Sequence, residues 1–490
     1  MSLSNFATLH LLLALSVILI AAHGMGFLFR RARQPQVAGE IFGGLLLGPT
    51  VLGALRPDLA HQLTAGSAST TAVLGAVYQL GQLLLMYCAG AALRARRRPG
   101  EGRTTSLIAL LGNVVPFAAG ALFLGVFNPG HLVGTAQNNT SFLLVFCCGV
   151  AVTSIPVISR ILADLGILGT SFARIVLSVA VIEDLALYVI LSIALGLVAP
   201  VHGDNFTLAS LLSIHPGSAA ADAYYVVVSI AAFAVPLALG RSFVERLGSH
   251  RINVLGRGNA LAFQIVFMMA MTSAALFLGI SPIFGAFIAG LLAGTLTGTA
   301  ASAQATIQSF AFGFFIPVYF AIVGIRLDLI HQFDPAFFTL FLLFACAVKA
   351  MSVYAGARIA RERRGSALNL AVALNARGGP AIVLASVALD AHVIAQRFYV
   401  DLVLLALLTS MLAGAWLDRA LRRGTLFEDD PVSGRLRGGN AAHLTTVDMT
   451  GDPHDAAKTL TSHQAVDTLF HGPPAVEQRV PVQPGEGGRQ

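Results

Sequence analysis

Residues 141–165 read SFLLVFCCGVAVTSIPVISRILADL, and residues 171–198 read SFARIVLSVAVIEDLALYVILSIALGLV. Both are long enough and apolar enough to cross a bilayer, whose hydrocarbon core needs about 20 residues of helix. Neither is ordinary. The first carries the polar step Thr153-Ser154-Ile155-Pro156 in its middle, and the second carries Glu183 and Asp184 near its centre. One charged side chain at mid-membrane costs about 2.5–3.5 kcal/mol on insertion scales, so two adjacent carboxylates need a reason. Such residues mark ion or proton pathways.

The composition agrees with a membrane location. The 490 residues are 56% hydrophobic and 11% charged, against about 25% charged in a soluble domain. The net charge of +7 comes from basic residues set in short loops between apolar segments. That distribution reads as membrane orientation and not as a phosphate-binding surface, which excludes nucleic acid as a partner. The four cysteines (Cys88, Cys147, Cys148 and Cys346) all fall inside apolar segments and match neither a disulfide framework nor a metal-ligand spacing.

The first apolar run, Phe6 to Phe29, lacks a basic flank before it and is followed by Arg30-Arg31-Ala32-Arg33. A cleaved signal peptide has the reverse order, so this run reads as a retained helix that starts outside. Later spans are predicted near 36–53, 71–93, 105–127, 141–163, 171–199, 222–240, 259–279, 281–297, 310–326, 335–357, 367–389 and 398–418, about thirteen in all. Arginines cluster in alternate loops: at 30–33, 94–103, 160–174, 241–257, 358–364 and 419–423. The loops between (54–70, 128–140, 200–221, 327–334 and 390–397) hold almost none, which is the positive-inside pattern. It places the N-terminus outside and the C-terminus in the cytoplasm of a multi-pass cell-membrane protein. The stretch 298–309 is then an inside loop, although it has no Lys or Arg. Residues 424–490 turn to Gly, Pro, Asp, His and Thr without apolar periodicity and read as a disordered cytoplasmic tail.

An acidic pair in lipid calls for a cation or water. Lys349 lies similarly deep, in FFTLFLLFACAVKAMSVYAGARIA (337–360), and the next span, ALNLAVALNARGGPAIVLASVALD (367–390), is interrupted at Asn375-Ala376-Arg377-Gly378-Gly379-Pro380. Thus an interrupted helix precedes an acidic one early in the chain, and a basic helix precedes an interrupted one late. Paired broken helices in two halves point to an inverted-repeat transporter with its site at mid-membrane. The half-helix ends supply partial charges, and the broken backbone supplies carbonyls for a cation.

PQVAGEIFGGLLLGPTVLG (35–53), TSIPVISRILADLG (153–166), ISPIFGAFIAGLLAG (280–294), FFIPVYFAIVGIRLDL (314–329) and ALNARGGPAIVLASVAL (373–389) resemble the cation:proton antiporter-2 family, in family order over about 420 residues. The resemblance implies an all-α, sodium/proton antiporter-like fold with inverted repeats and two crossed broken helices. It also implies a six-helix core around 71–200 and 310–420, dimerisation helices that make a homodimer, and alternating access by an elevator-like movement. The transmembrane antiporter domain is then 1–423. By the same resemblance Asp184 is the carboxylate that binds either cation or proton. Glu183 takes the preceding position and Lys349 the basic residue paired with it. Thr153, Ser154 and Pro156 belong to the first broken helix, and Asn375, Arg377, Gly378, Gly379 and Pro380 to the second. The substrates implied are Na⁺ or K⁺ and H⁺, with no cofactor, no metal beyond the transported cation and no enzymatic activity. Glu183, where the family often has a neutral residue, leaves electrogenic and electroneutral exchange both open. No nucleotide-binding fingerprint follows the membrane domain, unlike the glutathione-gated, Kef-type potassium-efflux branch.

Other readings stand beside this one. A gated cation channel or efflux system on the same fold needs no titrating carboxylate, and an ion-coupled organic-solute transporter would want more aromatic and polar side chains in its core spans. A membrane-embedded enzyme would need HExxH, GxSxG or clustered histidines, none of which occurs. Glu183-Asp184 with Lys349 could be a purely structural lock, and Lys349 could snorkel. Arg377 either orients its broken helix or contacts the ion path. Glu40 reads as an interfacial or packing residue, Arg326 and Asp328 as a membrane edge, His10 and His23 as packing residues, and Arg160 with Asp164 as a cytoplasmic-end pair. Asn138 and Asn205 sit in chance glycosylation-like sequences.

Overall fold

The computed structural model describes residues 4–59, 68–92, 102–127, 129–167, 170–198, 207–212, 218–249, 258–294 and 299–424. The predicted tail from 425 onward, Asn205, and the arginine cluster at 94–98 lie outside them. Among the described residues the fold is helical, with one isolated bridge between Val133 and Ile394. The helices are α1 (Asn5–Arg31), α2 (Gln36–Leu47), α3 (Ala68–Ala92), α4 (Gly102–Phe127), α5 (Asn139–Ala151), α6 (Ile155–Asp164) and α7 (Ser171–Gly196). They continue with α8 (Ala219–Ser249), α9 (Ala260–Phe277), α10 (Pro282–Ala293), α11 (Thr299–Phe310), α12 (Ile316–Ile325), α13 (Pro335–Ile359), α14 (Arg364–Ala373), α15 (Gly378–Asp390) and α16 (Gln396–Arg422). Nine spans among the described residues are long and apolar enough to cross a membrane: α1, α3, α4, α7, α9, α13 and α16 singly, 301–325 as α11 with α12, and 364–390 as α14 with α15. With α5–α6 taken as one interrupted span, and the short α2 and α10 and the apolar part of α8 (Ala220–Pro236) added, the thirteen predicted spans each have a helical counterpart. The protein is a multi-pass membrane protein.

The stretch 298–309 is corrected by the structure. It is not a loop: α11 runs through it and continues by one wide turn (Ala311–Phe315) into α12, so that 301–325 forms a single 25-residue span. TAASAQATIQ holds no Pro or Gly to end a helix, and its alanines favour one. The predicted start at 310 followed hydropathy, which the polar Ser302, Gln304 and Gln308 depress.

Helix starts follow local chemistry. Asn138 caps α5 by accepting from Ser141 N–H, and Thr170 caps α7 by accepting from Ala173 N–H. Asp334 accepts from Ala336 and Phe337 N–H at the start of α13, where Pro335 fills the first helical position.

Two groups of helices result. In one, α4–α7 pack with α13–α16; in the other, hereafter the scaffold, α1, α2, α3, α9, α10 and α12 pack together, and α8 touches both α7 and α10. Helix α3, placed with the six-helix core on sequence grounds, packs chiefly on α10 and α12. Within lipid no hydrophobic force drives helices together, so close backbone approach through small residues does it. A Cβ on Gly44 would overlap the backbone of Ala321, and one on Gly290 would overlap that of Tyr87, which fixes the α2–α12 and α3–α10 contacts. Outward-facing Leu9, Leu13 and Ile20 on α1, and Leu343 and Met351 on α13, present apolar surface suited to lipid.

Candidate functional site

Irregular backbone at membrane depth is tolerated only where its polar groups find partners in the protein. The chain breaks at Val152–Ser154, between α5 and α6, and at Leu374–Arg377, between α14 and α15. The two breaks supply each other's partners. Thr153 Oγ1 donates to Leu374 O at 2.7 Å, and the Arg377 guanidinium donates to Val150 O at 3.0 Å. At the restarting ends, Gly378 N–H donates to Ser410 Oγ (3.1 Å) and Val157 N–H to Ser154 Oγ (3.4 Å). Pro156 lies in the first turn of α6, and Gly378, Gly379 and Pro380 open α15. A proline in a first turn forfeits an amide that has no intrahelical acceptor there.

Four half-helix ends therefore meet: two carbonyl ends (α5 and α14) and two amide ends (α6 and α15). The cations go to the carbonyl ends and a carboxylate to an amide end, as the peptide dipoles require. Arg377 is fully buried and donates to Val150 O and Ala345 O at 3.0 Å, to Asn375 Oδ1 at 2.5 Å and to Asn375 O at 3.3 Å. Lys349, equally buried, donates to Gly112 O (2.9 Å) and Ala151 O (2.6 Å) and lies 2.9 Å from Glu183 Oε1. The two carbonyls take two of the three ammonium hydrogens, and Glu183, whose oxygens are buried without a hydrogen-bond partner, stands in ion-pair contact. Lys349 does not snorkel.

Adjacent helical residues point about 100° apart, so Glu183 and Asp184 face different neighbours. Glu183 meets Lys349 between α4 and α13, whereas Asp184 faces the amide end of α6, where Ile155 N–H donates to its carboxylate. The other Asp184 oxygen, Oδ1, is buried without a hydrogen-bond partner. The structure thus gathers Thr153, Ser154, Glu183, Asp184, Lys349, Asn375, Arg377 and Gly378 at one crossing. Two cations face two carboxylates there. Lys349 pairs with Glu183, and Arg377 adds a second positive charge bonded to Asn375 and to backbone carbonyls.

The chain has counterparts among known proteins. The family description "Sodium/hydrogen exchanger, transmembrane" matches residues 15–423. The chain belongs to this family. Cation/H(+) antiporter 20 of Arabidopsis thaliana is 26% identical over 417 residues, covering 83% of this chain and 48% of the relative. The chain spans about half the length of such plant relatives. Na(+)/H(+) antiporter NhaS4 of Synechocystis sp. is 28% identical over 418 residues, 83% of this chain and 96% of its own. Among solved structures, the sodium proton antiporter MjNhaP1 of Methanocaldococcus jannaschii superposes with a TM-score of 0.58 at 14% identity, over 86% of this chain and 99% of that one. This last likeness shows the fold alone.

One site residue carried no sequence signal. Gly112 on α4 offers its carbonyl to Lys349, and a Cβ there would stand 2.7 Å from Glu183 Oε1 and 3.9 Å from Lys349 Nζ. An exposed-looking glycine in an apolar run is common, and only the crossing partners reveal why a side chain is excluded. Gly112→Ala is expected to lower stability by about 1–3 kcal/mol, the range for overpacking. Detergent-solubilised variants melted side by side check this; an unchanged midpoint would show that the ion pair has room to move.

The remaining predicted residues go elsewhere. Glu40 is buried in the scaffold and accepts from Gln36 Nε2 at 3.0 Å, a packing role. His23 Nε2 lies 3.0 Å from Gly313 O in the wide turn before α12, a bond and not packing alone. Asn138 serves as a cap and also donates to Leu197 O. The side chain of Asp164 lies outside the described residues. The four cysteines are free thiols. Arg326 does more than mark an edge: it pairs with Asp390 at 2.7 Å.

Proposed function

We propose that the protein exchanges a monovalent cation, Na⁺ or K⁺, for protons across the cell membrane, with Asp184 as the carrier of either ion. The observation that carries this reading is the Asp184 carboxylate. It sits at the amide end of a half-helix with one oxygen bonded by backbone and the other, Oδ1, buried and unpartnered. A buried polar oxygen without a partner is costly, and a proton or a dehydrated cation supplies one. Thr153, Ser154 and the broken backbone stand where further oxygens are needed. Because one carboxylate serves both ions, they compete, and acid should raise the cation concentration needed for half-maximal exchange.

The Glu183–Lys349 ion pair, 2.9 Å apart, joins α7 to α13 and holds the crossing together whichever ion Asp184 carries; the Glu183 oxygens accept no hydrogen bond, but unlike Asp184 they stand beside a buried ammonium. The domain that moves is α4–α7 with α13–α16, sliding against the scaffold. A homodimer joined through scaffold helices would anchor the fixed part in the bilayer. The N-terminus lies outside and the C-terminus in the cytoplasm. The names of the relatives support exchange chemistry, NhaS4 being called a Na(+)/H(+) antiporter and another relative, GerN of Bacillus cereus, a Na(+)/H(+)-K(+) antiporter.

The test is cation-driven dequenching of a pH-sensitive dye in proteoliposomes, comparing the unsubstituted protein with Asp184→Asn. Na⁺- or K⁺-driven proton movement that disappears in the variant is expected, and the responding salt names the ion. Exchange that survives in Asp184→Asn would move the carrier to another group. A cation leak with no proton movement would replace exchange by conduction.

A further inference from the structure

Movement of one helix group against the other requires their contacts to break, and one end of the interface between them is joined by polar bonds. Arg326, at the C-terminal end of scaffold helix α12, donates from one guanidinium nitrogen to Asp390 Oδ1 (2.7 Å) and to Tyr78 OH (3.3 Å). The guanidinium carbon also lies 4.6 Å from the Tyr78 ring centroid. Tyr78, on scaffold helix α3, donates its hydroxyl to Asp390 Oδ2 at 3.2 Å. Asp390 ends α15, the half-helix that begins at the crossing with Gly378. A carboxylate on one helix group is thus held by a cation and a phenol on the other.

The neighbours reinforce the same end. Gln396 Nε2 donates to Arg326 O (2.5 Å), Tyr399 OH to Val323 O (2.9 Å) and Tyr319 OH to Ser386 Oγ (3.3 Å), each bond joining α12 or its end to α15 or α16. On α7 the residues four and eight beyond Asp184 share its face. Tyr188 packs on Phe287 with ring centroids 4.6 Å apart, and Ser192 Oγ lies 2.9 Å from Ser229 Oγ on α8. Between Asp184 and this end of the interface, then, the helix groups are shut. At the opposite end, Arg33 and Asp418 approach only to 4.0 Å, with Arg33 largely exposed.

We propose that Tyr78, Arg326 and Asp390 form a clasp that closes the outer mouth, and that its opening gates access to Asp184 from that side. The proposal rests on the exchange reading above and on its placement of the 390–397 loop outside. These three are positioning residues; they touch no ion in transit. Their chemistry suits a gate. Arg326 and Asp390 are 35% and 40% exposed, so water competes for their bond. An exposed ion pair of this kind biases a two-state equilibrium by up to about fivefold, enough to set a resting state without locking it.

The test labels a cysteine beneath the clasp, Ser386→Cys, with a membrane-impermeant maleimide added outside intact cells. A second reporter, Arg397→Cys, sits exposed on the first turn of α16. In the Ser386→Cys background, Asp390→Asn and Tyr78→Phe are each expected to speed labelling by up to about fivefold, and the exchanged pair Arg326→Asp with Asp390→Arg to return it toward the starting rate. Asp390→Asn should also lower the external cation concentration for half-maximal exchange while keeping the maximal rate, a split that a misfolded variant would not give. Equal labelling rates in all variants, with Arg397→Cys labelled from outside, overturn the clasp alone. Labelling of Arg397→Cys only from the inside overturns the assigned topology and with it the outer placement of the gate, while Asp184-dependent exchange stands.

Discussion

Lys349→Met is expected to destabilise the protein by about 3–5 kcal/mol, and adding Glu183→Gln is expected to recover most of that loss. Lys349 and Glu183 form an ion pair 2.9 Å apart with both side chains fully buried. Two ions taken out of water gain little net stability from each other, because desolvation cancels most of their attraction. Removing one partner is different, since the remaining charge keeps its desolvation cost and loses its compensation. Met matches the apolar stem of Lys349 and leaves Glu183 as that uncompensated charge. Gln at 183 removes the charge while keeping the shape. Recovery should be incomplete, because Gly112 O and Ala151 O still lose the donor that Lys349 gave them. Melting midpoints of the two single variants and the double variant, in one detergent at one pH, decide the matter. A double variant no more stable than Lys349→Met would mean that the carbonyl contacts matter and the pair does not. If instead Lys349→Met melts with the unsubstituted protein, the crossing is held without either.

The parts of this site that could be read from the chain were those in which a residue contradicts its surroundings. Glu183, Asp184 and Lys349 stand out because lipid penalises them, and Gly378-Gly379-Pro380 because no uninterrupted helix tolerates the run. Hydropathy and alternating arginines placed the spans for the same reason: both report a cost that water or lipid imposes on single residues. What was not legible depends on partners distant in sequence. Arg377 could be given no role until Val150 O and Ala345 O stood beside it, and Gly112 looks like any small residue until Glu183 occupies the space above it. Tyr78, Arg326 and Asp390 lie 64 to 312 positions apart; Tyr78 and Asp390 carry no signal in the sequence, and Arg326 by itself reads only as a membrane edge. The helix through 298–309 failed for a different reason. Its polar residues lower mean hydropathy, yet nothing in their backbone chemistry ends a helix.

Neighbouring glycines at the second break should behave oppositely. Gly378 has φ +38°, a conformation that side chains resist, and a Cβ there would meet the Val157 side chain and come 2.8 Å from Ser154 Oγ. Gly379, one residue on, is buried too, but a Cβ there would meet nothing within 4 Å. The two half-helices cross at Gly378, so Gly378→Ala must either part α6 from α15 or unwind the first turn of α15. Backbone strain of this type costs about 1–3 kcal/mol before any clash is counted. Parting the helices would also lengthen the Thr153–Leu374 and Gly378–Ser410 hydrogen bonds, which tie the breaks together. Gly378→Ala is therefore expected to lower the melting midpoint strongly and to abolish ion-driven proton movement, whereas Gly379→Ala should fold like the unsubstituted protein. Adding Val157→Ala to Gly378→Ala clears the methyl collision but not the contact with Ser154, and should restore only part of the stability. Equal melting of the two alanine variants would place the close approach of the half-helices somewhere other than Gly378. Full recovery with Val157→Ala would assign the cost to side-chain crowding and none to the backbone angle.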